Sequence, residues 1–205
     1  MRTYLFYTLL SIALHCTNKP VATMSWNDKT IYADVRLSIE RDQLRIDLSL
    51  DNMSAADVFI PDVSFVSTKD GIKINPVYLP LIVNSNNILE ADLQVQPLDP
   101  NTLWATPPTF FCHVIRPKDR YQRQWILPYP VRIPAKDNHG MGRTVPVSTD
   151  FLLNLGVIQP TGSYKPKEVE IDGQKLYEFR QEALRFQTKQ QIVLRNRSIS
   201  IHIDE

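Results

Sequence analysis

The residue types best able to do chemistry are few and scattered. The four histidines are His15, His113, His139 and His202, and the two cysteines are Cys16 and Cys112. Asp137 and His139 share the segment AKDNHGMGRT, residues 135–144, where a loop carboxylate beside an imidazole could contribute to a metal site or an acid–base pair. Two such groups are fewer than a metal site needs, and a polar loop is the simpler reading. Cys112 lies in TFFCHVI, where Phe110, Cys112 and Val114 alternate onto one face, the pattern of a small core residue in a buried strand. A nucleophilic thiol needs a base within reach, and His113, next in sequence, points to the opposite face of a strand. His113 and His202 fall on the polar phase of their strands, which predicts solvated side chains. The sequence has no HExxH, no paired Cys-x-x-Cys, no calcium loop, no Gly-x-Ser-x-Gly and no glycine-rich phosphate cradle. The expectation is a non-enzymatic chain with no catalytic residues, no cofactor and no metal.

Recognition chemistry is better represented. In HVIRPKDRYQRQWILPYPVRIP, residues 113–134, Arg116, Lys118, Arg120, Arg123 and Arg132 interleave with Tyr121, Trp125 and Tyr129, and Asp119 is the only acid. Arginine and large aromatics dominate binding hot spots, so Arg120, Tyr121, Arg123, Trp125 and Tyr129 are candidate binding residues. Trp104, on a proline-stiffened loop, joins them because presenting it costs little entropy. The same aromatics, if exposed on one face, would suit a carbohydrate or other ligand. The competing reading is a basic strand–loop–strand with Trp125 and Leu127 pointing into the core. The net charge of +1 argues against a nucleic-acid partner.

These residues must be positioned by strands. Apolar residues alternate from Ile31 to Ile39 and again from Leu44 to Leu50, which predicts a hairpin turning near Asp42-Gln43. Short strands are expected at Val58–Ile60, 79–83, 88–95, Phe110–Ile115 and Gln124–Leu127, with Val131–Ile133 as an edge among Pro128, Pro130 and Pro134. Asp70-Gly71 and Asp172-Gly173 are turn dipeptides. Ser148 or Thr149 could cap one short helix running through Asn154 and stopped by Gly156. Ala183–Phe186, Ile192–Leu194 and the alternating SISIHI read as further strands. With 15 prolines against 6 glycines, rigid loops fit better than flexible linkers. The class predicted is all-β, an antiparallel sandwich or barrel with at most one short helix, forming a single domain over residues 24–205 with a flexible loop at 135–144.

Two stretches carry a family resemblance. LRIDLSLDNMSAADVFIPD, residues 44–62, resembles the second and third strands of immunoglobulin-like domains in exported bacterial proteins, and IVLRNRSISIHI, residues 192–203, is similar to their closing strands. The resemblance implies a Greek-key β-sandwich and a binding role, and brings no catalytic residues. It suggests a protein partner in the cell envelope, as for an immunity protein, an inhibitor or an envelope accessory factor.

The N-terminus, MRTYLFYTLLSIALHCTNKPVAT, has one early cation, an apolar run too short to span a bilayer and no acid before Asp28, so residues 1–23 read as a secretory signal. That places the protein in the periplasm or outside the cell. Cys16 follows Leu14-His15 and not a small residue, a poor context for lipidation, so membrane tethering is not expected. If Met24 is the true start, the protein is cytoplasmic. Asn52-Met53-Ser54 and Asn196-Arg197-Ser198 match the glycosylation sequon. Intact mass measurement of the native protein, with cell fractionation, is expected to find an extracytoplasmic chain lacking roughly the first 13 to 23 residues. A soluble cytosolic chain beginning at Met24 would refute export.

Overall fold

The alternation of Ile31 to Ile39 and of Leu44 to Leu50 becomes a ten-residue antiparallel pair, β2 (Ile31–Glu40) and β3 (Gln43–Asn52), in the computed structural model. The structure describes residues 22–27, 30–40, 42–69, 71–75, 79–83, 88–98, 109–129, 131–134, 144–145, 150–195 and 201–204. Strand β1 (Ala22–Asn27) pairs with β2, and β10 (Arg120–Pro128) pairs with β3, giving a four-stranded sheet ordered β1-β2-β3-β10. Strand β1 thus begins two residues before the domain boundary expected at 24.

A larger sheet faces it. Its order is β14 (Lys167–Ile171), β15 (Gln174–Phe179), β9 (Phe110–Ile115), β4 (Val58–Ile60), β13 (Asp150–Ile158), β8 (Leu89–Leu93) and β7 (Leu81–Val83), with β16 (Gln187–Arg195) also paired to β13. Two small units complete the described strands. One is the hairpin of β5 (Phe65–Thr68) with β6 (Gly71–Ile74), and the other joins β11 (Val131–Pro134), β17 (Ile201–Asp204) and β12 (Thr144–Val145). The all-β class expected from the sequence is what the chain adopts. Pairing is mostly antiparallel, but β8–β13 and β11–β17 are parallel. Parallel pairing needs a long return path, which the chain between residues 93 and 150 supplies.

The main core lies between the two large sheets. Ile31, Ala33, Val35 and Leu37 of β2 and Leu44, Ile46, Leu48 and Leu50 of β3 meet Leu89, Ala91 and Leu93 of β8 and Phe151, Leu153, Leu155 and Val157 of β13, all buried. Each fully buried Leu, Ile or Phe contributes about 1.5–3 kcal/mol by leaving water. A second cluster sits on the far side of the larger sheet, where Phe59, Cys112, Ile158 and Phe179 pack under Ala183. Cys112 is a free, wholly buried thiol, as its strand pattern predicts.

Several local expectations are corrected. The helix expected through Asn154 is instead β13, buried along Phe151–Ile158 and flanked by β8 and β16. A continuous apolar run buried on both faces reads equally well as either element, and its neighbours decide it. Ala183–Phe186 is not a strand but part of a 3-10 helix, η1 (Gln181–Phe186), with Ala183 N–H donating to Arg180 O. Glu40 pairs with Gln43 where β2 meets β3, so Gln43 belongs to the strand and not to the turn, and Thr68 pairs with Gly71 where β5 meets β6, so Gly71 opens β6. Val131–Ile133 does lie in an edge strand, β11, whose partner is the parallel β17. Asp172-Gly173 is the two-residue turn expected, with φ of 52° and 70°, the left-handed pair that a hairpin of this length requires.

Gly156 is no helix stop. It lies where β13 passes the end of β8, and a Cβ there would stand 2.8 Å from Gln94 Cβ, 3.0 Å from its Cα and 2.6 Å from Gln187 Oε1. The Gln187 amide is itself committed, accepting from Val95 N–H at 2.9 Å and donating to Val95 O at 3.0 Å. Gly156→Ala is therefore expected to destabilise the protein by about 1–3 kcal/mol through overpacking. An unchanged urea midpoint would show that the Gln94 segment yields freely.

Candidate functional site

The Arg- and aromatic-rich segment spans β9, a turn and β10. Strand β9 belongs to the larger sheet and β10 to the smaller, so the four residues Arg116–Asp119 carry the chain across the sandwich. Asp119 N–H donates to Arg116 O at 3.0 Å, and Lys118 has φ of 65°, the left-handed conformation that a Pro-initiated turn of this type usually gives to glycine. Asn52 holds this crossing. Its backbone accepts from Lys118 N–H and donates to Asp119 O, both at 3.0 Å. Its Nδ2 donates to Ala56 O and Ile115 O at 2.8 Å each, while its Oδ1 accepts from Ser54 N–H and Ser54 Oγ. The buried Asn52 amide is thus fully satisfied. The sequon at Asn52 offers no free amide in the folded protein. The second sequon, Asn196-Arg197-Ser198, lies outside the described residues.

Period-two alternation divides β10 between two environments. Tyr121, Arg123, Trp125 and Leu127 face inward; Arg120, Gln122, Gln124 and Ile126 face outward. Inside, Trp125 is 1% exposed and belongs to the main core, with the Arg123 guanidinium 5.8 Å from its ring centre. Tyr129 packs against the same core, and its N–H donates to Asp42 O. Trp125 is therefore no surface platform, and the aromatic face that a glycan would need is not formed by Tyr121, Trp125 and Tyr129.

Tyr121 and Arg123 converge instead on Asp62, just past β4. The Asp62 side chain is wholly buried. Tyr121 Oη–H donates to Asp62 Oδ2, His113 Nδ1 lies 2.7 Å from Oδ1, and an Arg123 guanidinium nitrogen is 3.9 Å from Oδ2. His113 Nε2 faces Gln174 Oε1 at 3.3 Å. Burial disfavours the charged imidazole, but the hydrogen bond and charge of Asp62 outweigh it and hold the His113 pKa above its ordinary value. Burial, then the charge of Asp62, pushes the Tyr121 phenol well up, so it remains a neutral donor. Burial also raises the Cys112 thiol, with Asp62 adding to the effect. His113 is thus not the solvated histidine expected from its strand phase, because the polar phase of β9 faces the gap between the sheets. It does point away from Cys112, as expected.

An imidazole oriented by a buried carboxylate is two-thirds of a nucleophilic triad. Here the free ring nitrogen meets the Gln174 amide and not a hydroxyl or thiol, so the arrangement ties β4, β9 and β10 together. Asp62 was missed by sequence reasoning. Its only signal is a lone acid in FIPDVSF, an apolar run otherwise interrupted by proline and serine.

The outward face of β10 is different in kind. Arg120 pairs with Asp51 at 2.6 Å, Gln124 donates to Asp47, Arg45 pairs with Asp47 at 2.9 Å and Arg36 with Asp34 at 3.0 Å. With Tyr32 and Gln122 these groups line an open groove of about 680 Å3 on the outer face of the smaller sheet. At its β10 end Ile126, opposite Arg45, is 48% exposed. Of the sequence candidates, Tyr121 and Arg123 come together with one another, Arg120 joins the outer groove, and Trp125 and Tyr129 serve the core. Trp104, Asp137, His139, His15 and Cys16 lie outside the described residues.

No family model, no curated protein and no solved structure matches the chain. Its function is therefore read from geometry.

Removing the carboxylate leaves buried partners unpaired, so Asp62→Ala is expected to cost about 3–5 kcal/mol of stability. The His113 pair has a defined pH signature. Because its pKa is raised on folding, its stabilisation is complete below the unfolded value, about 6.5, and is lost as pH rises through the folded value. The stability advantage of the native chain over His113→Gln is expected to grow as pH falls through the raised folded value and to level off below the unfolded value of about 6.5. A pH-independent difference would show that His113 is not paired with Asp62.

Proposed function

We propose that this chain is an exported, non-enzymatic β-sandwich domain, related in architecture to immunoglobulin-like domains, that binds a protein partner in the periplasm or outside the cell through the outer face of β2, β3 and β10. The observation that carries the reading is the split of β10. Its inward side chains are clasped by Asp62 and the core, while Arg120, Gln122 and Gln124 line a mixed-charge groove and Ile126 is exposed on the same face of the strand. Rigid presentation lowers the ordering cost of binding. Exposed ion pairs such as Arg36–Asp34 and Arg120–Asp51 are screened by solvent and contribute little to the fold, so they can exchange partners at little cost. Alternating charge favours specificity and steering, and exposed Ile126 supplies an apolar anchor.

A photo-crosslinking residue in place of Gln122, in the full chain in its native host, is expected to trap one discrete extracytoplasmic adduct. The adduct should disappear in the Arg36→Glu/Arg120→Glu variant and should not form from the same label at exposed Lys189. No adduct, or equal trapping from Lys189, would overturn the proposal.

A further inference from the structure

On the far side of the larger sheet, loop 161–165 and η1 enclose an open groove of about 720 Å3. Its floor is aromatic. Tyr164 stacks on Phe179 at 6.0 Å with the rings 15° apart, and meets Phe186 at 5.7 Å. The loop is fixed to the strand end by Arg180 N–H, which donates to Tyr164 Oη at 3.3 Å. Its rim is cationic. Lys165, Lys167, Arg180 and Arg185 line it, against the carboxylates of Glu178 and Glu182. Lys167 is 3.4 Å from Glu178, and the Arg185 guanidinium lies 4.7 Å from the centre of the Phe186 ring. A chain whose net charge is +1 thus gathers four cations around one groove.

We infer that this groove is a binding site for an acidic saccharide, a sugar chain bearing carboxylate groups, distinct from the protein-binding face proposed above. Arginine forks match carboxylates in paired hydrogen bonds, and the cationic rim concentrates an anionic chain near the groove. Half-buried aromatic faces offer flat apolar contact to a ring, while the hydroxyls of Thr161, Ser163 and Tyr164 can donate to and accept from sugar hydroxyls. Tyr164 comes from a loop and Phe186 from η1, so the floor is built of ring faces, the contact a sugar ring takes, whereas an extended peptide draws its affinity from backbone hydrogen bonds to a strand. The stack on Phe179, anchored in the second core cluster, holds the floor in place before any ligand arrives.

Calorimetric titration of the full chain tests this, with an oligogalacturonide as probe, a maltooligosaccharide as neutral control and poly-glutamate as a non-sugar polyanion. The oligogalacturonide is expected to bind, with both controls at least about tenfold weaker. Arg180→Glu/Arg185→Glu should weaken it about tenfold or more, while Arg36→Glu, on the opposite face, should leave it unchanged. If the double variant fails to fold, Lys165→Glu, on the exposed loop, should still produce a several-fold loss. No binding to the native chain, equal binding of poly-glutamate, or insensitivity to groove reversal would each overturn the assignment.

Discussion

Two strands separated by only four residues, β9 and β10, belong to opposite sheets. That single topological fact governs the polar chemistry of the molecule. A chain crossing between packed sheets brings backbone donors and acceptors past an apolar core, and each must find a partner or destabilise the fold. Asn52 supplies those partners at the turn, bonding through both its backbone and its amide. Farther along the same strands, Asp62 draws His113 from β9 and Tyr121 and Arg123 from β10 onto one carboxylate. The hydrophobic core makes the sheets face each other, and this polar seam fixes how they are joined.

The seam also separates the two kinds of charged group. Asp62 lies out of water, and three side chains are placed within hydrogen-bonding or ion-pairing reach of its carboxylate. The outer groups of β2, β3 and β10 remain in solvent, where ion pairs are weak and replaceable. One strand therefore packs inward with its odd-numbered residues and displays its even-numbered ones to solvent. The basic groove at η1 shares neither surface, since it is built on the second core cluster behind the larger sheet.

Much of this was legible in the sequence where a single period dominated. The alternations of β2 and β3, the Asp172-Gly173 turn and the burial of Cys112 all follow from period-two patterning and turn chemistry. The β13 segment was not legible as a strand, because a run buried on both faces carries no period. His113 was misread for a related reason. Strand phase says which residues share a face, but not whether that face meets water or a second sheet. Asp62 left almost no trace, because its role depends on partners more than fifty residues away in β9 and β10. The richness of residues 113–134 in arginine and aromatics was visible as composition, but the division of β10 into a core-facing and a solvent-facing half needed its pairing with β3.

The complete engagement of Asn52 bears on how this protein can be made. Its sequon sits on an amide whose two hydrogens are both used in the folded state. In a eukaryotic secretory pathway, a glycan would be attached to the nascent chain before those bonds form. A modified Asn52 could not then donate both hydrogens to Ala56 and Ile115, and the bulky sugar would have to occupy the place where the sheets are joined. Such a chain would lack part of the join between β3, β9 and β10 that Asn52 makes, whereas a route without this modification would leave Asn52 to fold into its place.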